Sequence, residues 1–228
     1  MQVVHPDRSC ITVICTPHIG RQRASFANHS LTENERLTKI QNYWKFMIVR
    51  NPLEHLLSAF SDKLSTPLIY NSKAEFELYK KSIWTHYHPE KLKEWIKEGH
   101  NEKLQLDFET FLRWVIDTPN LELNEHFTPI INIAQPCRIK YNFYGNFKMY
   151  SSDMKAVVER LDAPQEWYRD KSYYEVGKAT KDKMVSSYSR VSKKVKELLI
   201  QDISEDLEFY YTLFPEETSS HVDILGLN

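Results

Sequence analysis

The stretch "KFMIVRNPLEHLLSAFSDKL", residues 45–64, constrains the fold more than any other part of the chain. Met47, Ile48 and Val49 make an apolar run too short for a helix and suited to a buried strand. Directly after Arg50, Asn51 fits an N-cap, Pro52 the first helical position and Glu54 the first turn. Leu53, Leu56, Leu57, Phe60 and Leu64 then recur at helical spacing as one apolar stripe. The pattern predicts a strand, a charged corner and an amphipathic helix over 52–64. A guanidinium thus sits beside a helix N-terminus, a place suited to an anion. The competing reading is a surface arginine ahead of an ordinary core helix.

Similar strand–helix alternation runs along the rest of the chain. "CITVIC" (10–15) reads as a first strand spanning about 10–16, with a loop at Pro17 and Gly20 and a short helix at 21–27. Residues 73–98 read as helix interrupted at Pro89, and 108–116 as a helix closed by Pro119. Ile139, Tyr141 and Phe143 alternate on one face, so 138–147 reads as a strand ending near Gly145. Ser151 or Ser152 is the expected cap of the next helix, and two helices are expected over 181–214. This alternation points to an α/β fold with a mainly parallel central sheet flanked by helices, whose ligands sit at the carboxyl ends of the strands.

At 228 residues, the chain suits one α/β domain or at most two small ones. Only five glycines are present, which argues against Gly-rich phosphate loops, and no P-loop kinase string occurs. A net charge of −1 argues against a dedicated nucleic-acid binder. Cys10, Cys15 and Cys137 fit neither a metal site nor a full disulfide framework, so no metal is expected. Asn28-His29-Ser30 is a glycosylation sequon. No apolar stretch is long enough to span a membrane. The chain opens almost inside its first strand, so a preceding segment is expected to be missing.

The 45–64 stretch resembles the 3′-phosphate-binding segment of Golgi carbohydrate sulfotransferases, in particular the chondroitin and dermatan 4-O-sulfotransferases. Arg50, Pro52, Ser58, Asp62 and Lys63 fit that segment, whereas Asn51 replaces an acid and His55 an arginine. "NEHFTPIINIAQPCRIKYNFYGNF" (124–147) resembles the family's His-aromatic segment, its Pro-Cys pair and its Gly-ended strand, with Ala134 in place of a cysteine. "LDFETFLRWVID" and "FYYTLF" fall in the expected order, so the likeness runs from about residue 10 to 214.

The resemblance implies a P-loop-like α/β sandwich forming a single sulfotransferase domain over 1–228, with the family's N-terminal membrane anchor absent from this chain. The implied donor is 3′-phosphoadenosine 5′-phosphosulfate (PAPS), the acceptor a glycan, and the location the lumenal side of the Golgi membrane. Arg50 and Ser58 would hold the 3′-phosphate. Pro17, Gly20, Arg21, Gln22 and Arg23 occupy the 5′-phosphosulfate loop, in which His18 stands for the family's lysine and Gln22 for its hydroxyl residue. Lys178 and Thr180 lie at a basic-hydroxyl turn. Two histidines are the catalytic candidates. His126 would accept the acceptor hydroxyl's proton, or else serve as a structural loop residue. His18 would face the 5′-phosphosulfate, or else only hydrogen-bond its loop.

Residues 168–196 carry nine Lys/Arg against three acids, either an anion-binding surface or a solvated helix face. The altered 5′ loop leaves a second expectation beside the active enzyme: a relative that binds nucleotide or glycan with impaired or no turnover.

Overall fold

The computed structural model describes residues 12–14, 32–69, 71–100, 103–119, 123–164, 181–218 and 224–226. Three parallel strands lie in the order β1 (Thr12–Ile14), β2 (Lys45–Val49), β3 (Phe143–Asn146). Thr12 sits opposite Lys45, and Val49 opposite Asn146. All five residues of β2 are buried because both of its faces are covered, as its unbroken apolar run requires. Phe46 and Ile48 pack against Phe147, Met154 and Val157, the last two from α7 (Tyr150–Arg160). Met47 and Val49 pack against Ala134 of α6 (Ile130–Ala134), Tyr141, and Tyr210 of α10 (Ser204–Leu213). Successive strand residues point to opposite faces, so these two clusters are separate by construction.

The described chain is mostly helical, and its largest core lies beside the sheet. It joins α2 (Pro52–Ala59), α3 (Glu75–Tyr87), α4 (Pro89–Lys97), α5 (Phe108–Asp117), α8 (Lys181–Ser189) and α9 (Lys193–Asp202). Phe111, Ile83, Leu112, Tyr188 and Leu199 are sealed within it. The buried Tyr188 hydroxyl donates to the Leu53 carbonyl at 2.9 Å, which ties α8 to the start of α2.

Several elements differ from the sequence expectation. The predicted 52–64 helix is α-helical only to Ala59, and Phe60–Leu64 is a π-helical turn closed by Ser65 N donating to Phe60 O. The strand expected over 138–147 is confined to 143–146. Gln135 takes a left-handed conformation (φ 47°) after α6, and the Tyr141 hydroxyl turns back to the Ala134 carbonyl, so 138–142 never extends. α7 starts at Tyr150, and Ser152 bonds the Met149 carbonyl instead of capping. Residues 181–214 hold three helices, not two, because the chain breaks at Ser192 and Ile203. An additional helix, α1 (Glu33–Asn42), begins with a capping box between Thr32 and Glu35. Pro89 does open a second helix, as the sequence indicates. The helix expected at 21–27 and the surroundings of Cys10 and Cys15 lie outside the described residues.

At Gly145, β3 passes close to its neighbours. A Cβ there would meet Ile48 Cδ1 at 2.5 Å and Asp153 Oδ2 at 3.0 Å, and that carboxylate already accepts the Asn146 amide at 2.6 Å. Gly145→Ala is therefore expected to cost about 1–3 kcal/mol, as overpacking of a filled core does. Urea unfolding of the variant checks this.

Candidate functional site

Arg50 leaves the carboxyl end of β2, the middle strand, and its side chain is fixed from two directions. Nη2 donates to Glu54 Oε1 at 2.9 Å, one helical turn on, in a largely buried ion pair. The guanidinium carbon also stands 4.4 Å from the centre of the Phe147 ring, a cation–π contact. The guanidinium is thus preorganised beside the strand end. The helix amides contribute less than the sequence suggests. Asn51 Oδ1 accepts from Leu53 N at 3.0 Å and Glu54 N at 3.3 Å, and Pro52 has no amide hydrogen. An anion at this corner would therefore meet side chains, not the helix N-terminus. Ser58, partly buried near the end of α2, is the hydroxyl available farther along the same helix.

His55 connects this corner to His126. Its buried ring has its pKa pushed down to about 4, first by burial and then by the charges of Arg50 and His126, while a hydrogen bond to the His126 backbone works the other way. At neutral pH the ring is uncharged. Its Nε2 is buried and bonds to nothing among the described residues. His55 was read from sequence only as a departure, not as a site residue. By helical spacing it falls on the face away from the apolar stripe, so spacing alone does not mark it as buried.

His126 itself lies in a turn that is held tightly. Its amide donates to Asn124 Oδ1 at 3.0 Å, and Asn124 Nδ2 reaches Glu75 of α3 at 2.6 Å. The His126 ring packs 5.4 Å from the Phe76 ring, which also carries the Lys63 ammonium at 5.1 Å. Lys63 comes from the π turn and pairs with Asp62 at 2.7 Å. Arg50, His55, His126 and Lys63 are thus linked through shared neighbours, though they come from different segments. Lys63 was matched by sequence without a role; the π turn, which alters the direction of side chains along the helix, carries it toward Phe76. Pro17, His18, Gly20, Arg21, Gln22, Arg23, Lys178 and Thr180 lie outside the described residues. Cys137 is exposed and free. Among the described residues, no group of three or more His, Cys, Asp or Glu side chains is arranged for a metal, and no helix is long and apolar enough to cross a membrane.

Beyond the His126 turn, Asp206 of α10 holds the chain in place. Its two carboxylate oxygens accept the Ile130 and Ile131 amides at 3.1 and 2.9 Å. Burial raises its pKa to about 6 despite those bonds. A folded-state value above the unfolded one means stability fully present below about pH 4 and lost as pH rises through 6. Urea midpoints of the native protein should carry this component between pH 4 and 7. Asp206→Asn, which does not titrate, should lack it.

Comparison with known proteins identifies the family. The Sulfotransferase family profile matches residues 8–212. The chain is 32% identical over 127 residues to carbohydrate sulfotransferase 14 of Danio rerio, covering 56% of this chain and 32% of that protein. It is 30% identical over 145 residues to the Homo sapiens carbohydrate sulfotransferase 14, covering 59% and 35%. Human carbohydrate sulfotransferase 9 is 27% identical over 177 residues, covering 76% and 37%. The matched part is about a third of the length of these relatives. No solved structure gives a significant match. On the profile match, the chain belongs to the Sulfotransferase family, and the relatives it resembles are carbohydrate sulfotransferases.

Proposed function

We propose that this chain transfers a sulfuryl group from PAPS to a hydroxyl of a glycan, as a single P-loop-like sandwich domain working in the Golgi lumen. The observation that supports it most is Arg50, held rigid by Glu54 and Phe147 at the end of the middle parallel strand. In this reading, Arg50 and Ser58 take the donor's 3′-phosphate, and the loop from Pro17 to Arg23 takes its 5′-phosphosulfate. A new acceptor oxygen–sulfur bond forms while the sulfur–phosphate oxygen bond breaks, releasing adenosine 3′,5′-bisphosphate. The acceptor proton passes to His126. Lys63 and the arginines of the 5′ loop supply positive charge around the donor. No metal is needed for these steps.

The His18 and Gln22 replacements favour a second reading, a relative that keeps the donor's 3′ side and transfers little or nothing. The same experiment separates the two: labelled-sulfate transfer from PAPS over a glycan panel, beside calorimetric titration of adenosine 3′,5′-bisphosphate. Transfer with nucleotide binding supports the enzyme, and binding without transfer supports the impaired relative. If His126 is the base, His126→Ala lowers turnover on the order of a hundredfold and leaves nucleotide affinity intact. Loss of nucleotide affinity in that variant would assign His126 to the donor site.

A further inference from the structure

A cavity of about 800 Å³ opens between the end of α2, the π turn, the α3–α4 junction, the start of α5 and the end of α8. Its walls include none of Arg50, His55, Ser58 or His126. Phe60, Tyr87 and Phe108 bring aromatic rings to it, and His88, Thr110 and Arg190 bring polar groups. This mixture of flat apolar faces and convergent polar atoms is the general composition of a small-ligand site.

The polar groups are set in definite states. The Thr110 hydroxyl, 2.7 Å from Asp107 Oδ2, has one hydrogen and gives it to that carboxylate. His88 Nε2 lies 3.2 Å from the Thr110 hydroxyl oxygen, which can then only accept from it. The proton of a neutral His88 is therefore on Nε2, and Nδ1 is left as an acceptor. Nδ1 makes no hydrogen bond among the described residues and is not sealed from solvent. Asp107 spends its other oxygen on the Thr110 amide at 2.8 Å, so the relay is anchored to the cap of α5. Arg113 is already engaged by Glu109 at 2.7 Å. Arg190 is different: it is exposed at the cavity and forms no ion pair among the described residues. One imidazole acceptor, one uncommitted guanidinium and three aromatic rings thus face a common space.

We infer that this cavity is a remote saccharide subsite. It would take a sugar unit that stacks its C–H face on the aromatic rings, donates a hydroxyl to His88 Nδ1 and presents an anionic group to Arg190. Thr110 and Asp107 are positioning residues, because they act by fixing the His88 tautomer. The inference rests on the glycan reading above and extends it from the reacting hydroxyl to a unit elsewhere along the acceptor.

The test is calorimetric titration of the full chain with unsulfated chondroitin hexasaccharide, which carries carboxylates, with neutral chitohexaose, and with adenosine 3′,5′-bisphosphate. Arg190→Ala and His88→Phe should each weaken chondroitin hexasaccharide binding about tenfold and leave nucleotide affinity unchanged. Arg190 is exposed, so its variant keeps the test valid even if His88→Phe fails to fold. Chitohexaose should bind more weakly than the acidic hexasaccharide and ignore Arg190→Ala. Chondroitin affinity indifferent to Arg190→Ala, in a chain that still binds nucleotide, overturns the subsite alone. A chain that binds neither nucleotide nor hexasaccharide overturns the glycan sulfotransferase reading, and the subsite with it.

Discussion

Phe127→Ala should destabilise the protein by about 3–5 kcal/mol, the usual cost of truncating a sealed aromatic side chain. Phe127 is 1% exposed and stands at the meeting point of three segments. Its ring lies 5.5 Å from both Phe111 and Trp114 of α5, and 6.0 Å from Tyr79 of α3. Tilted and edge-on contacts predominate around it, so the loss includes aromatic pair energies as well as area. The substitution also removes the anchor next to His126, so under the proposed function sulfate transfer should fall in parallel with stability. Urea unfolding measures the first effect. Met149→Ala is the control: at 58% exposure it should change stability by no more than about 0.5 kcal/mol. A loss below about 1 kcal/mol for Phe127→Ala would mean that the turn is not held by this cluster.

The parts of the fold that local chemistry dictates were legible in the sequence. The Asn51-Pro52 start of α2 and the helix break at Pro89 follow from single residues whose backbone preferences leave few alternatives. The capping box of Thr32 and Glu35 carried the same kind of signal for α1, and could have been found by spacing alone. The π turn at Phe60–Leu64 could not, because its apolar stripe reads equally well as continued α-helix. The 138–142 segment failed as a strand for a different reason. Its alternating pattern was real, but tertiary contacts decided otherwise: Tyr141 is buried with its hydroxyl on Ala134, and Gln135 has already turned the chain. Site residues divide along the same line. Arg50 announces itself at a strand end, whereas the approach of His55 to His126, and of Lys63 to the Phe76 ring, depends on pairing between distant segments. Sequence spacing contains no term for that.

The proposed donor site depends on Arg50, whose pairing with Glu54 dictates how it must be tested. Arg50→Ala alone would leave the Glu54 carboxylate, only 4% exposed, without its partner. Breaking a buried pair from one side costs about 3–5 kcal/mol, so lost binding could then reflect lost folding. Neutralising both members avoids this, and the Glu54→Gln reference keeps a side-chain oxygen that can still accept the Arg50 hydrogen bond. The decisive comparison is adenosine 3′,5′-bisphosphate titrated calorimetrically into Glu54→Gln and into the double variant Arg50→Gln/Glu54→Gln, each checked for a cooperative unfolding transition. A charge-assisted bond to a phosphate is worth roughly 1.5–3 kcal/mol. Glu54→Gln should retain nucleotide binding, since the carboxylate only positions the guanidinium and repels the anion. The folded double variant should bind at least about tenfold more weakly than Glu54→Gln. Equal affinity in the two folded variants would contradict a 3′-phosphate site at Arg50.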